Sequence, residues 1–373
     1  MPVAGTPPFV IPHPVVARTS LGCAHPPERH ELRRGMNCTT LGAALARTPT
    51  TTKVIETTSD GCTSRPSLGG HMQFLQQLVN GLTIGSLYAL IAVGYTVVYG
   101  IVQLINFAHG EVFMIGAFGA LATWSLLFKG TTAIWVLPIM ILGAMLASVS
   151  VALLMERIAY RPLRNAPRLA PLITAIGISV ILQEAVRLFY PEAKSSLSFP
   201  GIDIVTGPPI AIGGLDLRRS TIFIILALIV CAVGLWVFIN RTKQGRAMLA
   251  VSQDPDTARL MGVNVDRTIA IAFALGALLA AVAGVAQGLH TRTVTFNMGF
   301  MAGLKAFTAA VLGGIGNIQG AVAGGLVLGV IEALATQYLG GATWANVWAF
   351  VLLIIVLVFW PQGLLGAKVV DRA

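Results

Sequence analysis

The sequence predicts an all-α polytopic membrane protein with about eight or nine transmembrane helices. Three observations predict it. Of the 373 residues, 55% are hydrophobic and only 11% are charged, against about 25% charged in soluble domains. The apolar residues gather into runs of the length that crosses a bilayer, about 20 residues. The basic residues gather into short loops between those runs. Mean hydropathy is +0.78. A surface this poor in polar groups needs lipid as its solvent. Backbone groups left unpaired in lipid are costly, so the spans are helices.

Residues 1–71 stand apart. They are rich in Pro, Thr and Arg, with seven Lys/Arg against four Asp/Glu, and they hold Cys23, Cys38 and Cys62. No apolar h-region follows the basic residues, so there is no signal-peptide pattern. The Cys and His spacing is too irregular for a zinc site. The composition is that of a disordered extension. Met72 directly precedes "QFLQQLVNGLTIGSLYAL", where the membrane pattern begins. Two readings stand side by side: translation starts at Met72, with an over-extended gene start upstream, or residues 1–71 are a genuine disordered tail. N-terminal sequencing of the expressed protein decides between them: a peptide from residues 1–60 sinks the internal start. The permease-like membrane domain is then 72–366, followed by a short tail, 367–373.

The spans run over 77–99, 105–128, 133–155, 169–190, 220–239, 268–289, 321–339 and 345–360. The segment 303–319, "GLKAFTAAVLGGIGNIQ", is apolar but broken by glycine; it either crosses or enters and returns. Two basic loops set the direction. The first, 156–168, carries Arg157, Arg161, Arg164 and Arg168. The second, 241–267, carries Arg241, Lys243, Arg246, Arg259 and Arg267. The positive-inside rule places both in the cytoplasm. Two spans separate them, as the assignment requires. The stretch from Pro191 to Ser220 is then external, despite Arg218 and Arg219. The net charge of +10 belongs to these loops and is no nucleic-acid signal. Small residues at Gly276, Ala280, Gly284 and Gly288, at Gly316, Gly320 and Gly324, and at Gly325 and Gly329 give flat helix faces for close packing.

Polar groups interrupt the apolar runs at Asn106, His109, Glu111, Gln183, Glu184, Lys305 and Glu332. A charge at mid-bilayer costs roughly 2.5–3.5 kcal/mol on insertion scales, so such groups face a bundle interior or a water-filled cavity, often in pairs. Asn106, His109, Glu111, Lys305 and Glu332 are candidates for a pathway or gate; the other reading is interhelical hydrogen bonding. His109 and Glu111 are two apart and do not share a helix face. With Gly110 between them, they read as a polar turn where a span begins rather than a site of chemistry.

The second cytoplasmic loop holds a short capped helix, "SQDPDTARLMGVN" (252–264). Asp254 is the N-cap, Pro255 suits the first helical position, and Asp256 favours the positive helix N-terminus. Gly262 suits the left-handed position that ends it. Small Ala258 and apolar Leu260 and Met261 suit a helix seated in a partner's groove.

The spacing Asp254, Ala258, Gly262 resembles the coupling loop of ABC importer permeases, although the Glu-Ala-Ala opening and the later Leu-Pro of that family are absent. Longer blocks narrow the resemblance: "GLTIGSLYALIAVGYTVVYGIVQLINFAHGEVFMIGA" (81–117), "ERIAYRPLR" (156–164), "RAMLAVSQDPDTARLMGVNVDRTIA" (246–270) and "GFMAGLKAFTAAVLGGIGNIQGAVAGGLVLGVIEAL" (299–334). These are similar to branched-chain amino acid ABC permeases of the LivH type, from about residue 73 to Gly366. The resemblance implies the ABC importer permease fold in a bacterial inner membrane. It implies a LivM-like partner permease, two ATPase subunits and an external substrate-binding protein. The substrates implied are leucine, isoleucine and valine; related permeases carry urea or short amides. No G-x-x-x-x-G-K-[ST] stretch occurs, so the chain has no P-loop; ATP would be bound by the partner subunits, and no cofactor or metal is expected on this chain. No H-E-x-x-H or G-x-S-x-G stretch occurs either, which leaves enzymatic readings without support. The rival from another class is an ion-coupled secondary transporter, with His109, Glu111 and Glu332 relaying protons.

Overall fold

A computed structural model describes residues 70–103, 106–164, 166–167, 169–190, 196–360 and 362–365. The N-terminal extension up to residue 69 and the tail lie outside the described residues. Twelve α-helices are described: α1 (Gly70–Val102), α2 (His109–Leu127), α3 (Val136–Met155), α4 (Leu169–Phe189), α5 (Asp203–Thr206), α6 (Arg219–Arg241), α7 (Lys243–Gln253), α8 (Pro255–Leu260), α9 (Val265–Thr291), α10 (Met298–Gly313), α11 (Ile318–Tyr338) and α12 (Ala345–Phe359). A single π turn, Glu156–Tyr160, prolongs α3. Among the described residues, seven helices are long and apolar enough to cross a membrane: α1, α2, α3 with its π turn, α4, α6, α9 and α11. The shorter apolar α10 and α12 have 16 and 15 residues. At 1.5 Å per residue they span about 22–24 Å, short of a 30 Å hydrocarbon core. The helix α1 already includes Gly70 and His71, two residues ahead of Met72.

The core is a cage around α1 and α9. The helix α1 packs most extensively on α11 and also on α9, α10 and α6, while α2 packs on α3, α9 and α10. Small residues allow it. On α1, Gly81, Gly85 and Ala89 meet Gly325, Gly329 and Ala333 of α11; a Cβ on Gly329 would stand 2.2 Å from the Gly85 backbone. On α9, Gly284 lies against the α2 backbone at Phe113 and Ala117. These contacts are van der Waals packing at backbone distance, the main attraction available between helices in lipid. By contrast α4 and α6 are mostly exposed, with Leu188, Phe189, Val230 and Leu226 turned outward.

The two basic loops meet. Arg161 and Arg164 each reach Asp266 at 2.5 Å, and Arg164 also holds Glu156. Loops predicted to share the cytoplasm are thus joined by ion pairs. At the opposite end the predicted irregular external loop contains short ordered pieces. Strands β1 (Leu197–Ser198) and β4 (Thr293–Val294) pair antiparallel, Leu197 facing Val294. Strands β2 (Ile210–Ile212) and β3 (Leu215–Leu217) form a hairpin. Its two-residue turn, Gly213-Gly214, has both φ values positive, as a type I′ turn requires. The Gln76 side chain donates to the Asp216 carbonyl at 3.1 Å and accepts from its N–H at 3.0 Å, tying the hairpin to the outer end of α1.

The glycine-broken segment resolves into the end of one helix and the start of the next. α10 stops at Gly313, and Gly314 and Gly316 take positive φ in the turn. Asn317 then caps α11, its side chain accepting from the Gln319 N–H. The carbonyls of Leu312 and Gly313, orphaned where α10 ends, accept from the N–H groups of Leu364 and Leu365. The C-terminal segment therefore closes a helix end that would otherwise be unpaired.

Candidate translocation pathway and docking tip

Lys305 of α10 and Glu332 of α11 are 27 residues apart, and the fold brings them together. Lys305 Nζ lies 2.6 Å from Glu332 Oε1. The Tyr88 hydroxyl of α1 joins them, donating to Glu332 Oε1 at 3.2 Å and accepting from Lys305 Nζ at 3.1 Å. Lys305 and Glu332 are each 7% exposed. Mutual neutralisation is what makes two charges tolerable here. Removal of one partner from such a buried pair costs about 3–5 kcal/mol.

Two cavities flank this cluster on the outer side. One, about 330 Å³, is lined by Tyr88, Lys305, His290 and a set of apolar residues that includes Ile91, Phe113 and Met301. The other, about 370 Å³, lies toward Asp216 and Arg218 and is lined by Glu332, His290, Asn80 and Gln337. A third cavity of about 650 Å³ opens at the end that carries the basic loops, between Thr96 and Val97 of α1, Trp236 and Ile239 of α6, Met248 of α7 and the Gly316 turn. Along α1 the outer cavity reaches Ile91 and the inner one Thr96, a separation of about 7 Å along the helix axis. The buried layer between contains Tyr95, whose ring meets His109 edge-on at 4.6 Å and Phe307 at 6.3 Å.

Asn106, His109 and Glu111 are buried, and none of them lines these three cavities. Asn106 Oδ1 accepts from the Ala108 N–H at 3.0 Å and from the Tyr160 hydroxyl at 2.7 Å, which fixes the turn before α2 to the π turn. His109 fills the space beside Gly94 and Gly276. Gly110 sits so close to α10 that a Cβ would stand 2.3 Å from the Gly299 carbonyl oxygen. Glu111 Oε1 accepts from Ser179 at 2.9 Å and Gln183 at 2.8 Å, linking α2 to the otherwise exposed α4. The three side chains point to different neighbours, as their spacing predicts. Glu184, by contrast, is exposed and pairs with Arg187 at 3.1 Å.

At the end that carries the basic loops, α8 has the predicted caps. The Asp254 carboxylate accepts from the N–H groups of Asp256 and Thr257 and from the Thr257 hydroxyl. The Thr257 contacts, with that of the Asp256 N–H, hold its pKa below the usual carboxylate range, so the cap keeps its charge at neutral pH. Pro255 opens the helix and Gly262 follows it with φ +83°. The helix is six residues long, shorter than two turns. Ala258 faces inward, 3% exposed, and packs in this chain's own core. Leu260 and Met261 are the apolar tip, 87% and 80% exposed.

Residues 77–357 match the family described as branched-chain amino acid transport system / permease component. This chain belongs to that family. The high-affinity branched-chain amino acid transport system permease protein BraD of Pseudomonas aeruginosa is 46% identical over 306 residues, covering 80% of this chain and 98% of that protein. LivH of Escherichia coli is 44% identical over 305 residues, covering 81% and 98%. A probable LivH of Methanocaldococcus jannaschii is 28% identical over 307 residues, covering 78% and 91%. The chain is thus a multi-pass membrane permease of the LivH type.

In the sequence of this LivH-type permease Lys305 and Glu332 stand out singly, whereas Tyr88 and Ser179 do not. Neither hydroxyl carries a charge signal in an apolar run; only the packing of α1 on α10 and α11, and of α2 on α4, gives each its partner. The Glu111 contacts support a prediction. Glu111→Leu leaves Ser179 and Gln183 without their acceptor and is expected to cost about 1–3 kcal/mol, measurable as a lower unfolding temperature in detergent. Glu111→Gln keeps an acceptor oxygen and is expected to retain substrate uptake; loss of uptake in a stably folded variant favours the proton relay.

Proposed function

We propose that this permease is the membrane subunit of an ATP-driven importer for leucine, isoleucine and valine in the bacterial inner membrane. Substrate passes from an external binding protein to the cytoplasm by alternating access. The observation that carries this reading is the 44–46% identity to BraD and LivH across 98% of those proteins, whose names give branched-chain amino acids as the cargo. The geometry is in keeping with it. Cavities lie on both sides of one thin buried layer, an arrangement suited to opening one side at a time. The energy source is a separate chain in this reading, since the sequence holds no P-loop. A LivM-like permease completes the membrane pair, two ATPase subunits sit beneath it, and the capped tip at Leu260 and Met261 seats in a groove of one of them.

Reconstitution tests the reading. Vesicles containing this chain, the partner permease and the ATPase subunits are expected to accumulate radiolabelled leucine only with ATP and the binding protein present. Accumulation by this chain alone on an ion gradient would overturn the importer in favour of a secondary transporter. Accumulation of urea or short amides, but not leucine, would move the substrate and keep the machine.

A further inference from the structure

We propose that Tyr88, Lys305 and Glu332 form a low-affinity site for the zwitterionic head of an amino acid on its way through the membrane. The apolar wall of the adjoining cavity takes the side chain. This assignment rests on the amino-acid importer reading and goes further, because it names the residues that handle the cargo.

Donor and acceptor accounting carries it. A lysine ammonium has three N–H donors. Lys305 spends two, on Glu332 Oε1 and the Tyr88 hydroxyl, and keeps one. Glu332 Oε1 accepts from both neighbours, while Glu332 Oε2 is buried and has no hydrogen-bond partner among the described residues. Buried polar atoms are nearly always paired, so an orphan carboxylate oxygen on a residue that lines a cavity marks a place for a donor. The spare donor and the spare acceptor belong to residues on two cavities that share Ile84 and His290. An α-amino acid carries the complementary pair, a carboxylate for Lys305 and an ammonium for Glu332. Its aliphatic side chain suits Leu87, Ile91, Phe113 and Met301, which line the 330 Å³ cavity. That volume is in the range of small-molecule sites, which are mostly apolar with a few placed polar groups.

The pairing of the two charges also sets the strength. The site is already neutral, so a zwitterion borrows free hydrogen-bonding capacity instead of satisfying a naked charge. Conduction needs binding weak enough to leave, and a self-neutralised pair gives weak binding.

The test uses the complete transporter in vesicles. Wild-type assemblies are expected to import leucine on ATP. The double variant Lys305→Gln, Glu332→Gln removes both charges together and keeps hydrogen-bonding groups, so neither charge is stranded. It is expected to co-purify with its partner subunits, yet to import leucine at about a tenth of the wild-type rate or less, the loss expected for about 1.4 kcal/mol. The half-saturating concentration stays unchanged, because the binding protein sets it. A second readout places a single thiol at Met301→Cys in a chain whose native cysteines are serine. Leucine is expected to slow modification of that thiol several-fold without the binding protein, and neither isocaproate nor isoamylamine, each with one of the two charges, does so. Undiminished import by an assembled double variant shows a structural pair only and overturns the site, as does equal protection by all three compounds or none by leucine. Should wild-type vesicles import no leucine at all, the importer reading fails and takes this assignment with it.

Discussion

Gly329→Val is expected to abolish the folded permease rather than weaken it. A Cβ at Gly329 stands 2.2 Å from the Gly85 Cα and N and 2.5 Å from the Gly81 carbonyl oxygen. All three obstacles are backbone, so no side chain can swing away, and α1 must separate from α11 along their main seam. Overpacking a filled core costs typically 1–3 kcal/mol; here the rigid neighbours place the cost at about 3 kcal/mol or more. Size-exclusion profiles of detergent extracts should lose the monodisperse peak. Gly234→Ala on the exposed face of α6 is the control. A Cβ there meets nothing within 4 Å, and alanine is a better helix former by about 1 kcal/mol. Two glycines in apolar helices thus have opposite outcomes. A monodisperse Gly329→Val protein would show that α1 and α11 are not held at backbone contact.

The second large effect lies at the tip of α8. Leu260→Asp with Met261→Asp is expected to leave the permease folded and to weaken its hold on the ATPase subunit tenfold or more. Both side chains are largely in solvent, so this chain loses little by their change; surface substitutions usually fall within about ±0.5 kcal/mol. Buried in a partner's groove, the same residues act as anchors, and anchors cost about 2 kcal/mol or more when removed. Co-purification and uptake should fall together. Ala258→Arg gives a different result, because Ala258 packs inside this chain: its loss of uptake should come with a lower unfolding temperature. Retained association of the Asp-substituted tip would remove the docking role.

The spans, the shared side of the two basic loops and the caps of α8 were legible without coordinates. Each depends on local rules: length against bilayer thickness, charge against the membrane surface, and the hydrogen-bonding habit of Asp, Pro and Gly at helix ends. Asp254, Pro255 and Gly262 do in the structure what their chemistry predicts. The glycine seams on α9 and α11 were legible as faces, but not as pairs. That Gly81 and Gly85 of α1 are the other half of the α11 seam depends on which helices become neighbours.

The remainder belonged to the tertiary structure. Sequence determined that this chain crosses a membrane many times, belongs with LivH-type permeases and keeps a small capped helix at the end that carries its basic loops. Only the packing decided that Ala258 turns inward while Leu260 and Met261 turn out, and that Glu111 braces α4. Only the packing set Lys305 beside Glu332 and Tyr88, across 27 and 217 residues of chain. The reason is physical. Spans and caps are fixed by neighbours a turn or two away. A buried charge is settled by whichever helix the bundle brings opposite it, and no period in the sequence encodes that partner.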